Sequence, residues 1–246
     1  MVRLRLVILG LFIAVALEAQ ATKLVMVTEV WPPYRMDEPT TSSGFTGIDV
    51  DLIVALESRI GIPIEIKRVP WARALDMMRN GQADLISGLA WTAERAEFLA
   101  YVPTSYSSVR PMFYAPRGKG ATVGSYADLY GKPIGMSTNS SYFLQFDSDS
   151  KLNKVMLSTE VQILQMLAIG RLGLIIGTDP NLGWDASRLG LKGSVEPTAW
   201  QPEIKTDLYL ALSKKSPFAS LAGRLNEAVM AMLADGTIDR ILAKYR

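Results

Sequence analysis

Between residues 23 and 87 the chain alternates short apolar runs with segments of helical period, and this alternation restricts the fold more than any other feature. Residues 23–28 (KLVMVT) read as a buried strand, ended by Trp31-Pro32-Pro33-Tyr34, whose prolines cannot continue a ladder. After a flexible connector at residues 44–47, Asp49 opens a helix to about Ile60. Its Val50, Ile53, Val54 and Leu56 are spaced for one buried face, and Gly61 stops it. Residues 64–69 form a second strand, Pro70-Trp71 starts a second helix that ends at Asn80-Gly81, and residues 83–87 (ADLIS) form a third strand. Strand, helix, strand, helix, strand is the pattern of a parallel sheet with crossover helices, so the chain is expected to be α/β.

The pattern returns further on. Residues 133–137 (PIGMS) read as a strand running into the polar stretch 138–141, where a helix is expected to begin. A helix over 159–169 and a strand over 173–177 follow, then a strand over 208–212, a helix over 219–233 and a terminal helix over 238–245. No Gly/Ser-rich or Pro-rich linker separates two independent beads. Two lobes joined by more than one crossing of the chain fit this layout.

The first residues set the compartment. Arg3 and Arg5 precede an apolar run from Leu6 to Leu17, too short to span a bilayer, and Ala19-Gln20-Ala21 has the small residues a signal peptidase reads. Residues 1–21 therefore read as a signal peptide cleaved after Ala21, and a periplasmic, soluble mature chain is expected. Loss of Arg3, Arg5 and Glu18 takes 26 basic and 24 acidic residues to 24 and 23. That near-neutral balance argues against nucleic acid or an anionic membrane as the main partner. The chain contains neither His nor Cys, which removes Ser-His-Asp and Cys-His nucleophilic sites and the common zinc sites together. No metal, cofactor or catalytic residue is expected.

Five stretches, TEVWPPY (28–34), GFTGIDVDLIVAL (44–56), ALDMMRNGQADLISGLAWTAERAEFLAYVPTSY (74–106), GKPIGMSTNSS (131–141) and LNEAVMAMLADGTIDRILAKYR (225–246), resemble in order the extracellular solute-binding proteins of family 3, the periplasmic polar amino-acid receptors of ABC importers. The resemblance implies a type II periplasmic-binding fold, with one lobe from about 22–108 plus 208–246 and the other from about 112–204. Hinge segments near 107–111 and 203–207 would join them, and a small molecule would be held in the cleft between.

The same resemblance implies site residues. Arg95, within Thr92-Ala93-Glu94-Arg95, would grip the ligand's carboxylate, for which a guanidinium offers a planar bidentate fork. Ser87, Gly88 and Ala90 fall where the family supplies hydroxyl and backbone groups, although Gly88 and Ala90 lack the hydroxyls many relatives carry. Ser140 and Ser141 would face the carboxylate from a helix N-terminus or serve only as its cap. An acidic residue for the ligand's ammonium is implied near Asp179. The spacing from Gly170-Arg171 is one residue long, leaving Thr178 in the usual slot, and Glu29 is an alternative source of negative charge. Among the aromatics around the cleft, which also include Trp31 and Trp91, Tyr34 and Trp71 are expected as contacts. The implied function is capture of an amino-acid-like solute by a monomeric, non-enzymatic receptor and its delivery to an ABC permease. Alternatives are a cyclohexadienyl-dehydratase-like enzyme on the same scaffold and a receptor that presents its ligand to a sensor kinase or chemoreceptor.

Overall fold

The computed structural model describes residues 23–245; the expected signal peptide and its cleavage site lie outside them. The chain begins with β1 (Leu24–Thr28), a small hairpin of β2 (Met36–Asp37) and β3 (Phe45–Thr46), and α1 (Ile48–Ile60). Next come β4 (Ile64–Arg68), α2 (Trp71–Asn80) and β5 (Leu85–Leu89). β1 lies parallel to β4, in register from Leu24↔Ile64 to Thr28↔Arg68, and parallel to β5 at Met26↔Leu85. Each crossover helix ends on a left-handed glycine, Gly61 (φ 64°) and Gly81 (φ 71°), a conformation that costs a residue with a Cβ extra energy.

A single turn, α3 (Ala93–Ala96), and β6 (Leu99–Tyr101) lead into the ten-residue β7 (Ser107–Pro116), which carries the chain into the second half of the molecule. That half contains β8 (Pro133–Ser137), α4 (Leu144–Ser148), β9 (Asn153–Leu157), α5 (Glu160–Ala168), β10 (Leu174–Asp179), α6 (Asn181–Arg188) and β11 (Val195–Pro197). β12 (Thr206–Ser213) returns the chain to the first half, and α7 (Ala222–Ala234) and α8 (Thr237–Lys244) pack there.

The strands run in the order β4-β1-β5-β12-β7-β10-β8-β9, with β6 on β12 and β11 on β7. The seam is narrow: β7 and β12 pair antiparallel only at Ser107↔Leu208, Ser108↔Asp207 and Val109↔Thr206. The buried apolar clusters respect it. Leu24, Met26, Leu52, Leu210 and Val229 belong to the clusters of the first half, and Phe113, Phe146, Leu164 and Ile175 to those of the second. The cleft lies where the two crossing strands meet, and Val109, Thr206 and Leu208 of those strands line it.

Two expectations of local structure change. The polar stretch 138–141 is a turn, with Asn139 at φ 60°, and α4 begins only at Leu144, so Ser140 and Ser141 are not at a helix N-terminus. Along α1 the buried face is Ile48, Asp49, Leu52, Ile53, Leu56 and Ile60, while Val54 is 59% exposed. The difference arises because Asp49 is held inside by polar partners. The helix α6, for which the sequence reading assigned no element, buries the polar Asn181 and Asp185 beside Leu182 and Ala186.

Candidate functional site

The first-half wall of the cleft is built on the end of β1. The strand stops at Thr28, and Glu29 then aims its carboxylate at the start of α2, where Oε2 accepts the Trp71 backbone N–H at 2.9 Å. The main chain here is held by Arg35, whose Nε donates to the Glu29 carbonyl at 3.0 Å and whose guanidinium pairs with Asp49. Asp49 is wholly buried and also accepts from the Ser87 hydroxyl and the Tyr106 phenol, each at 2.7 Å. Two hydroxyl donors and one countercharge compensate a buried carboxylate that would otherwise be costly. Gly88, at φ 68°, passes directly over this pair, and a Cβ there would stand 2.5 Å from Arg35 Nη1. Only glycine fits.

Two indoles border the cavity. Trp31 stacks on Tyr34 with centroids 4.8 Å apart and lies under the Arg35 guanidinium at 5.1 Å. Its Nε1 donates across the cleft to Glu160 Oε2 at 3.1 Å. Trp71 Nε1 donates to the Asn139 carbonyl of the opposite half at 3.3 Å, and its ring is 5.7 Å from the Arg95 guanidinium.

Arg95 sits on α3, whose first turn is capped by the Thr92 hydroxyl accepting the Arg95 N–H at 3.1 Å. Arg95 as a whole is 6% exposed, and its guanidinium donates to two carbonyls, Ala90 at 3.0 Å and Asn139 at 2.8 Å. Desolvation lowers its pKa from the usual arginine value. Among the described residues no carboxylate forms an ion pair with it.

From the second half come Ser137, at the end of β8, and the turn residues Ser140 and Ser141. Asp147 ties that turn down, accepting from the Ser141 hydroxyl at 2.6 Å and from the Tyr142 N–H. Glu160, the first residue of α5, faces the cavity beside Trp31. Burial, with Asp185 and Glu29 adding repulsion, pushes its carboxyl up to about 8. Burial also raises Glu29, against the opposing effects of the Trp71 N–H and Arg35. Neither glutamate forms an ion pair among the described residues. Val109, Thr206 and Leu208 of the crossing strands also line the cavity.

The residues expected from the sequence divide into two groups. Glu29, Trp71, Gly88, Ala90, Arg95, Ser140 and Ser141 line this one cavity. Ser87, Tyr34, Thr178 and Asp179 do not. The Ser87 hydroxyl is spent on Asp49; the Tyr34 ring is covered by Trp31, and its hydroxyl bonds to Ser107 at 2.9 Å. Thr178 donates to Asn181 Oδ1 at 2.8 Å, inside the second half, and Asp179 pairs with Arg110 at 2.6 Å on the surface. The acidic side chains that line the cavity are Glu29, the alternative named from the sequence, and Glu160. Arg35, Ser137 and Glu160 were not foreseen. Glu160 follows a Thr cap at the start of an apolar helix, where an acidic residue usually just complements the helix dipole, so its local sequence carried no sign of a cavity role.

Comparison with known proteins decides the family. The family model described as bacterial extracellular solute-binding proteins, family 3, matches residues 24–246. The chain belongs to that family. The arginine-binding extracellular protein ArtP of Bacillus subtilis (strain 168) is 25% identical over 236 residues, covering 93% of this chain and 88% of the relative. Among solved structures, an amino-acid ABC transporter substrate-binding protein, AbpA, of Streptococcus pneumoniae, bound to L-arginine, superimposes with a TM-score of 0.77 at 18% identity, covering 94% of this chain and 96% of that one. A histidine kinase sensor domain with similarity to periplasmic binding proteins gives the same TM-score at 19% identity, over 91% and 95% of the two chains. The fold of this family-3 protein is accordingly that of the type II periplasmic binding proteins. Among the described residues, no helix is long and apolar enough to cross a membrane.

Proposed function

We propose that this family-3 protein is a periplasmic receptor that closes over a small amino acid and passes it on unchanged. The observation that carries this reading is the charge layout of the cavity. At one end stands a buried guanidinium that donates to two backbone carbonyls and has no ion-pair partner among the described residues; at the other stand two carboxyl groups that form no ion pair among the described residues. An α-amino acid brings a carboxylate for the first and positive charge for the second. Arg95, with the Ser140 and Ser141 hydroxyls opposite, receives the carboxylate, and the indoles of Trp31 and Trp71 cover the ligand's flat or cationic part. The halves joined by β7 and β12 act as lobes, with hinges at 107–111 and 203–207, and the donors that reach Asn139 and Glu160 across the cleft hold the closed form. The name of the Bacillus relative and the ligand of the Streptococcus structure agree with an amino-acid ligand.

Thermal unfolding of residues 22–246 against amino acids, amines and organic acids tests the proposal. A ligand at a hundredfold excess over its dissociation constant adds about 2.7 kcal/mol to stability. Arg95→Ala is expected to abolish the shift, and ligand recovered from the complex is expected to be chemically unchanged. Recovery of a converted product would instead support an enzyme using Glu160 as its proton donor. Delivery to an ABC permease is the first expectation for the downstream partner. The sensor-domain neighbour keeps presentation to a kinase as the second, and a pull-down of the ligand-loaded protein with each candidate membrane partner separates them.

A further inference from the structure

The two strands that cross between the halves border the cleft with one face only. Val109, Thr206 and Leu208 line it, while Ser108 and Asp207, paired with each other across the seam, belong to the opposite face. Behind that face lies a second cavity, of about 370 Å³, large enough for a small molecule. Ile48 on α1, Leu242 on α8 and the adjoining Tyr245 wall it from the first half, and Pro180, just before α6, from the second.

Two contacts separate this space from the cleft. Tyr34, which lines it, stacks on Trp31 of the cleft at 4.8 Å, and its hydroxyl bonds to Ser107 of β7. Asn181, fully buried and accepting from the Thr178 hydroxyl, donates its amide to the Pro32 carbonyl of the other half, 149 residues away. The halves thus touch along a line between the two cavities. A rotation about that line that widens the cleft narrows the space behind it. The charges around that space leave one acid without a partner. Asp207 is exposed at its edge and forms no ion pair among the described residues. Arg110 and Asp179, next along the same face, neutralise each other at 2.6 Å, and Lys244 on α8 is held by Asp51 at 2.8 Å.

We propose that this cavity is a second binding site, for a small monoamine with an apolar body, and that filling it favours the closed cleft. The ammonium pairs with Asp207, beside the hydroxyls of Ser105 and Ser108, and the body lies between Ile48, Leu242 and Pro180 against the Tyr245 ring. A molecule held behind the crossing strands resists opening. By linkage it tightens capture in the cleft, and a captured solute tightens it by the same factor. The coupling rests on the hinge motion of the receptor reading; the site itself does not.

Titration calorimetry of the mature protein with benzylamine, and with benzyl alcohol as its uncharged counterpart, tests the site. Benzylamine is expected to bind about fivefold more tightly than the alcohol, the upper value for an ion pair open to solvent. Asp207→Asn is expected to remove that difference, and Ser108→Trp, which fills the space, to abolish binding. Both positions are exposed, and thermal unfolding checks that each variant folds. Glu160→Gln, in the cleft, is expected to leave the binding of benzylamine as it is. No binding by the wild type, a preference unchanged in Asp207→Asn, or binding lost in Glu160→Gln overturns the site. Small-angle X-ray scattering reads the coupling: benzylamine alone is expected to lower the radius of gyration of the wild type and not that of Asp207→Asn at the same concentration. Binding with an unchanged radius overturns the coupling. None of these measurements needs an amino acid in the cleft, so they fail independently of the receptor reading.

Discussion

Replacing Asp49 by alanine tests the polar scaffold beneath the cleft floor. Asp49 is fully buried and Arg35 is 2% exposed, so the substitution leaves a guanidinium in the interior without its countercharge. Removing one partner of a buried pair costs about 3–5 kcal/mol. Here Ser87 and Tyr106 lose their acceptor as well, each bond being 2.7 Å in the native protein, which points to the upper part of that range. For a chain of this size each kcal/mol moves the midpoint by about 2–4 °C, so a loss of about 5 kcal/mol lowers it by about 10–20 °C. Differential scanning calorimetry of the ligand-free mature protein reads this directly. The control is Arg35→Met combined with Asp49→Leu. It fills the space without charge and is expected to regain about 2 kcal/mol or more over Asp49→Ala, although the bond from Arg35 to the Glu29 carbonyl is lost. A cost below about 1 kcal/mol for Asp49→Ala, or a double variant no more stable than the single one, would refute the account of this network.

Other outcomes follow from the same geometry. Gly88→Ala is expected to cost about 1–3 kcal/mol, since it needs both φ 68° with a Cβ and room already taken by Arg35 Nη1; the urea midpoint measures this. It should also weaken ligand binding, because Gly88 lines the cavity. A carboxyl held at about 8 when folded and near 4.5 when unfolded binds more protons in the native state. Its contribution is therefore complete below about pH 4.5 and is lost as pH rises through about 8. The ligand-free midpoint of the wild type should fall across that window more steeply than that of Glu160→Gln, and parallel pH profiles would contradict this. Phe113→Ala, in the second-half core against Phe146 at a centroid distance of 5.8 Å, is expected to cost about 3–5 kcal/mol in chemical unfolding.

Several features of this protein were legible in its sequence because they depend on neighbours along the chain. The runs at 23–28, 64–69 and 133–137 show β-strands through unbroken apolar character, and Gly61 and Gly81 mark helix ends because a left-handed residue must follow the last turn. The ordered stretches 28–34, 44–56, 74–106, 131–141 and 225–246 were enough to suggest the family, and with it Arg95, Gly88, Ala90, Ser140 and Ser141 as cleft residues, although the two serines were expected at a helix start.

What the sequence could not decide is which charges end up facing one another. Asp49 looks like a first-turn acid on a helix and becomes the centre of a buried network, because Arg35, Ser87 and Tyr106 converge on it from separations of 14, 38 and 57 residues. Asp179 is the acidic residue the resemblance suggested, yet it is used on the surface by Arg110, 69 residues away. Glu160 and Trp31 meet across 129 residues to close the acidic end of the cleft. Apolar period and turn chemistry are local, so one dimension records them. Burial of a charge and choice of its partner are set by the approach of distant segments, and only the closed tertiary structure fixes that distance.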